Sequence, residues 1–130
     1  MDDWERKESW QKRGKNFCVE VHHHTIKHGA AFDTDAGEHR WCVYAFIYPQ
    51  HPHFAKFGGD SMWQYAATDL PLHCGCSFLK RHYAPQGKVT SIQVGADYSH
   101  LYDAVYTHYA DQDEARSVFS DAAALWAWLS

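Results

Sequence analysis

The chain has 130 residues, the size of one domain that can bury a core of its own. Its 45% hydrophobic and 16% aromatic content excludes a disordered chain, because that much apolar surface offsets the entropy of ordering. A net charge of −4 excludes a chain-wide basic face for gripping a phosphate backbone, and no apolar run approaches the roughly 20 residues of a membrane helix.

Residues 2–13 begin with Asp2 and Asp3 and collect Arg6, Lys7, Lys12 and Arg13 later, a charge order that suits a helix dipole. They predict an N-terminal helix anchored by Trp4 and Trp10. Residues 17–26 alternate, with Phe17, Val19, Val21, His23 and Thr25 on one face, which is a strand pattern. A Gly-, Ala- and Asp-rich connection follows at 29–38. The run HRWCVYAFIYP, apolar on both alternating faces, predicts a central strand covered on both sides and ended by Pro49. After His51-Pro52-His53-Phe54, a turn or short helix ends at Gly58-Gly59, and a second short helix carries Met62, Trp63, Tyr65 and Ala66 up to Pro71.

Residues 74–84 and 88–98 flank Pro85-Gln86-Gly87 and predict an antiparallel hairpin. Gly75 and Gly95, inside those runs, mark a bulge or a close approach of backbone or ligand. At the C-terminus Ala115, Val118, Phe119, Ala122, Trp126 and Leu129 recur at helical spacing behind Asp113 and Glu114. Ser120-Asp121 leaves open a second possibility for 112–129, a short strand followed by a capped helix. The expected fold is a single α+β domain over 1–130: a mainly antiparallel sheet of about four strands, with the N-terminal and C-terminal helices packed on it.

Histidine is the compositional anomaly. Protonating all eleven takes the formal charge from −4 to +7, so solubility and partner choice should depend on pH near the imidazole's ordinary value of about 6.5. The four cysteines, Cys18, Cys42, Cys74 and Cys76, form no CxxC pair and read as reduced, packed thiols. The charged start, MDDWERKESWQKR, lacks an apolar signal core, so the cytoplasm is the expected compartment.

A hairpin brings the start of its first strand beside the end of its second. His73 should therefore meet Asp97, His100 and Asp103 at one rim of the sheet. Imidazole nitrogen and carboxylate oxygen are the donors a divalent metal ion takes, and the same groups serve acid–base catalysis. These four residues are the candidate catalytic and metal set; the alternative is a rim held together by backbone hydrogen bonds. His51 and His53, flanking Pro52, are second-rank candidates to complete a metal site with the rim. His22 and His24 should lie on the strand face opposite His23. Trp63 and Trp128, the latter off the main stripe of its helix, are candidate contact residues for a partner.

The segments HPHF (51–54), LHCGCSFL (72–79) and VGADYSHLYD (94–103) resemble a group of small uncharacterised phage and prophage proteins. Their pattern is His-Pro, then His-Gly-Gly-(Leu/Ile)-Thr-(Phe/Tyr), then Gly-Phe-Asp-x-x-His-x-x-Asp. The likeness covers about the middle 50 residues and picks out Pro52, His73, Gly75, Phe78, Gly95, Asp97, His100 and Asp103. Cys74 departs from it in place of glycine, and Ser77 in place of threonine. The resemblance implies a mobile-element origin and a recurring His/Asp rim, and it implies no activity. Two functions follow as expectations. One is an accessory protein of a phage or mobile element that binds and inhibits a host protein or complex, such as a defence nuclease in an anti-CRISPR-like role. The alternative is a metal-dependent hydrolase of a phosphoester or nucleotide. Direct nucleic-acid binding is disfavoured by the charge, and neither a metal nor an oligomeric state is named by the sequence.

Overall fold

The computed structural model describes residues 7–25, 37–57, 70–72, 78–98 and 104–130. Five strands form one antiparallel sheet: β1 (Lys7–Gly14), β2 (Phe17–Thr25), β3 (His39–Ile47), β4 (Phe78–Tyr83) and β5 (Val89–Asp97), in the spatial order β1-β2-β3-β5-β4. Short 3-10 turns lie at Phe54–Phe57 and Ala104–His108, and one helix, α1 (Arg116–Leu129), closes the chain. The α+β class and the antiparallel sheet agree with the sequence reading.

The first element does not. Residues 7–14 form an edge strand paired with β2 from Lys7↔His24 to Gly14↔Phe17, where a helix was expected. Glu8, Trp10, Lys12 and Gly14 turn toward the helix side, while Ser9, Gln11 and Arg13 turn away. Only Trp10 among the inward residues is strongly apolar, so the alternation is hard to see until β2 supplies the partner. The link is the two-residue turn Lys15-Asn16, where Asn16 takes a φ of 64°, a left-handed conformation asparagine tolerates better than most residues. Residues 2–6 of the expected helix lie outside the described residues.

The β4–β5 connection forms as its residues dictate. Pro85 sets the first turn angle, Ala84 N–H donates to Lys88 O at 2.8 Å, and Gly87 takes a φ of 92°, which only glycine adopts cheaply. The described strands start at Phe78 and Val89, so residues 74–77 of the expected first strand lie outside the description.

α1 packs across one face of the sheet. Val118, Ala122, Leu125 and Leu129 from the helix meet Val19 and Val21 of β2, Trp41, Val43, Ala45 and Ile47 of β3, and Ile92, Val94 and Ala96 of β5. Residues 116–129 are a single helix; the possibility of a strand at Val118-Phe119 is not realised. Asp121 is engaged inside it, accepting from Tyr98 Oη–H at 2.6 Å, so it does not cap a second helix. Asp113 and Glu114, expected in the first turn, lie just before it: that turn holds no acidic residue and Ala115 gives no side-chain cap, while ahead of it Glu114 N–H donates to Asp111 Oδ1 at 2.9 Å and Ala115 N–H to Asp111 O at 3.0 Å.

The sheet's other face carries Cys42, Tyr44 and Phe46 of the central strand, each half-buried. β3 is thus fully covered on the helix side and only partly on the other. Gly95 faces Tyr44 across the β3–β5 ladder, and a Cβ there would fall 2.7 Å from Tyr44 Cδ1 and 2.1 Å from Val43 O. The close approach expected at this glycine is that of the β3 backbone at Val43 O, with the Tyr44 ring beside it. Among the described residues, no helix is long and apolar enough to cross a membrane.

Candidate functional site

The start of β1, the ends of β2 and β5, and the starts of β3 and β4 share one rim of the sheet. Asp97 lies there, opposite Cys42. His73, His100 and Asp103 lie outside the described residues, as do Trp63, Cys74 and Cys76. Among the described residues no three His, Cys, Asp or Glu side chains are grouped to hold a metal ion.

A different set of titratable groups is assembled at the same rim. His23 Nδ1 lies 2.7 Å from Glu8 Oε1, and His23 Nε2 lies 2.9 Å from His39 Nδ1. The line crosses three strands: Glu8 is the register partner of His23 on β1, and His39 opens β3. A carboxylate only accepts, so His23 donates its Nδ1–H to Glu8. Two facing ring nitrogens can share a single proton, so either His39 donates to a neutral His23 or a protonated His23 donates both ways. A proton moving between the two rings therefore leaves the hydrogen-bonded chain intact.

Stacking fixes this geometry. The His23 ring lies 4.3 Å from that of Trp41 at 21° and 5.1 Å from that of His39 at 20°, and Trp41 in turn stacks on Trp10 at 5.7 Å. The Trp41 indole N–H donates to Tyr109 O at 3.0 Å. Behind it the 3-10 turn is tied down where Gly37 N–H donates to Thr107 Oγ1 at 2.6 Å. Burial leaves the His23 side chain 0% exposed and the Glu8 side chain 44% exposed. The sequence placed His23 on the alternating face with Phe17, Val19 and Val21 but gave it no role. Glu8 and His39 gave no such signal, because what matters about them is their neighbour across the strand.

His51 and His53 follow the far end of β3, beyond the Ile47↔Ile92 pair, whereas Asp97 pairs with Cys42 near its beginning. They are not brought to the rim with Asp97. His51 is buried and bonded to backbone on both sides: Nε2–H donates to Leu129 O at 2.7 Å, and Nδ1 accepts from His53 N–H at 3.0 Å. The His53 ring stacks on Trp128 at 4.4 Å and 16°, so the tryptophan expected as a contact residue is half-buried against this loop.

On the sheet face away from α1, Tyr44 meets His22 and Phe78 edge-on, each at 5.3 Å, and Phe46 lies 5.9 Å from His82. His22 lies on the face opposite His23, as the alternation required, with Nε2 2.7 Å from Glu20 Oε1. Burial pushes the Tyr44 hydroxyl well above its ordinary range, and Cys42 and Asp97 add to the effect. Burial likewise raises the Cys42 thiol, partly offset by its hydrogen bond with Tyr44. Cys18 and Cys42 are both free thiols, and burial also raises Cys18.

No protein-family model, no curated protein and no solved structure matches the chain.

Proposed function

We propose that this chain is a phage- or mobile-element-type accessory protein that binds a host protein and blocks it, with a nuclease of a defence system as the target class. The observation that carries the reading is the sheet face away from α1. There Tyr44 and Phe46 of β3 and Phe78 of β4 stay half-exposed on the two strands that flank β5, with His22 and His82 at their edges. Half-exposed aromatics grouped on a rigid sheet are the kind of side chain that dominates protein–protein binding energy.

Charge gives the partner a character. The same face carries Arg13, Arg40 and Lys80 against Glu20 and Asp97, in a chain whose net charge is −4. An acidic protein surface complements that face. The resemblance of the middle of the chain to phage proteins supports the biological setting.

The test is affinity capture from bacterial host lysate with wild type, Phe46→Ala, Phe78→Ala and His73→Ala, followed by titration of the purified partner. Loss of roughly 10- to 100-fold in affinity for each Phe variant, with His73→Ala unaffected, is the expected result. A partner that binds both Phe variants as tightly as wild type sinks the assignment of this face.

A further inference from the structure

At the end of the sheet opposite the rim, the Lys15-Asn16 turn, the loop at 50–53 and the last turns of α1 enclose a cavity of about 690 Å³. It lies on the helix side, away from the aromatic face assigned to partner binding, and His51 is one of its walls. We propose that this cavity binds a small planar aromatic acid, a ring that carries one carboxylate or sulfonate group.

The cavity is built from walls that are tied to one another. Tyr48 N–H donates to Asn16 O at 3.0 Å and joins the loop to the turn, while His51 Nε2–H donates to Leu129 O at 2.7 Å and joins the loop to the helix. A volume of about 690 Å³ falls within the roughly 300–1,000 Å³ of small-molecule sites. Walls already fixed in place leave little ordering for a ligand to offset.

The lining matches both ends of such a ligand. Phe17 is buried at the floor, 5.7 Å from the Trp126 ring and 5.4 Å from that of His51. A Cβ at Gly14 would collide with the Phe17 ring, so glycine is required there for the floor to close. Both His51 nitrogens are bonded to backbone, so this residue adds ring surface and no recognition of its own. Trp126 is half-buried and Pro52 exposed, and they present flat apolar surface on which an aromatic ring packs.

Charge selects among aromatic rings. Among the described residues that line the cavity none is Asp or Glu, and Lys15 brings an exposed ammonium group to its mouth. A second ammonium, Lys12 Nζ, sits 3.9 Å over the Trp126 ring. Two positive charges beside apolar walls favour an anionic ring over a neutral or cationic one, and the Asn16 and Gln50 amides can donate to its oxygens.

The experiment titrates the full chain with two fluorescent probes of one ring frame, anilinonaphthalene sulfonate and the uncharged phenylnaphthylamine. The sulfonate should bind roughly tenfold more tightly than the neutral probe, and Lys15→Gln should remove most of that difference while leaving the neutral probe unchanged. Trp126→Leu should weaken both probes roughly tenfold, with the fold checked by urea unfolding. Should that variant fail to fold, amide shifts in wild type decide: the sulfonate should move the signals of Asn16, Phe17 and His51 and leave those of Tyr44 and Phe46. Naphthoate should displace the sulfonate. The site is overturned by shifts centred on Tyr44 and Phe46, by equal affinity for the two probes, or by a Lys15→Gln difference that stays as in wild type. Displacement by AMP but not by naphthoate overturns the aromatic-acid class. Phe46→Ala should leave the sulfonate's affinity unchanged, so this site and the partner-binding face fail separately.

Discussion

His23 and His51 are both buried histidines fixed through both ring nitrogens, at opposite ends of the same sheet, and they differ in what they are fixed to. His51 donates to a carbonyl and accepts from a peptide N–H. Neither partner can exchange a proton, so one tautomer is imposed and the ring acts as a rivet between the loop after β3 and the end of α1. His23 is held by a carboxylate and a second imidazole, both of which can give up or take a proton. The same side chain is structural at one end and a candidate for chemistry at the other, and the titratability of its neighbours makes the difference.

The comparison is most sharply tested at the rivet. His51→Ala removes two buried hydrogen bonds and the ring that lies edge-on to Phe17 at 5.4 Å, and it leaves Leu129 O without its donor. A loss of about 3 kcal/mol is expected by urea unfolding, with faster amide exchange in the last turn of α1. A loss under about 1 kcal/mol would mean that the loop is not anchored through this ring. Next in size is Tyr98→Phe, which removes the 2.6 Å bond to Asp121 from the middle of the helix–sheet interface. About 1.5 kcal/mol is expected from the same measurement.

A smaller effect belongs to the half-covered face. The folded-state pKa of Tyr44 and of Cys42 is raised, by burial first, from ordinary values of 10.0 and 9.0. A raised value means the folded protein holds those protons more tightly than the unfolded chain. The stability they confer is complete below pH 9 and is lost as pH rises through 9 and 10 toward the folded values. Urea midpoints measured from pH 8 to 11 should fall in wild type and fall less in Tyr44→Phe. Equal slopes would show that the Tyr44 hydroxyl carries none of the alkaline loss.

What could be read in advance follows the same physics. β2 and α1 were legible because Phe17, Val19 and Val21, and Val118, Ala122 and Leu129, repeat with the period of their element, while β3 showed as an unbroken apolar run and the hairpin as two strand-like runs around Pro85-Gln86-Gly87. β1 was not, because its inward positions are Glu8, Trp10, Lys12 and Gly14, and its strand character comes from pairing with β2. The rim was legible as a place, since hairpin topology puts Asp97 there. The groups described at it were not, because the two contacts that make it join residues 15 and 16 positions apart. A local spacing rule cannot see a site assembled by register.

The smallest stability effect is expected at Glu8, and it separates the two histidines most directly. Glu8→Gln keeps an oxygen acceptor for His23 Nδ1–H, and the side chain is 44% exposed, so unfolding free energy should change by no more than about 0.5 kcal/mol. The ring-nitrogen signals of His23 should nonetheless shift in this variant at fixed pH, because an amide replaces the carboxylate that accepts its Nδ1–H, while those of His51, bonded only to backbone, should not. If Glu8→Gln left both histidines unaltered by NMR, His23 would be another rivet and the contrast between the two ends would fail. If it destabilised the fold as much as His51→Ala does, the Glu8 bond would be a structural tie.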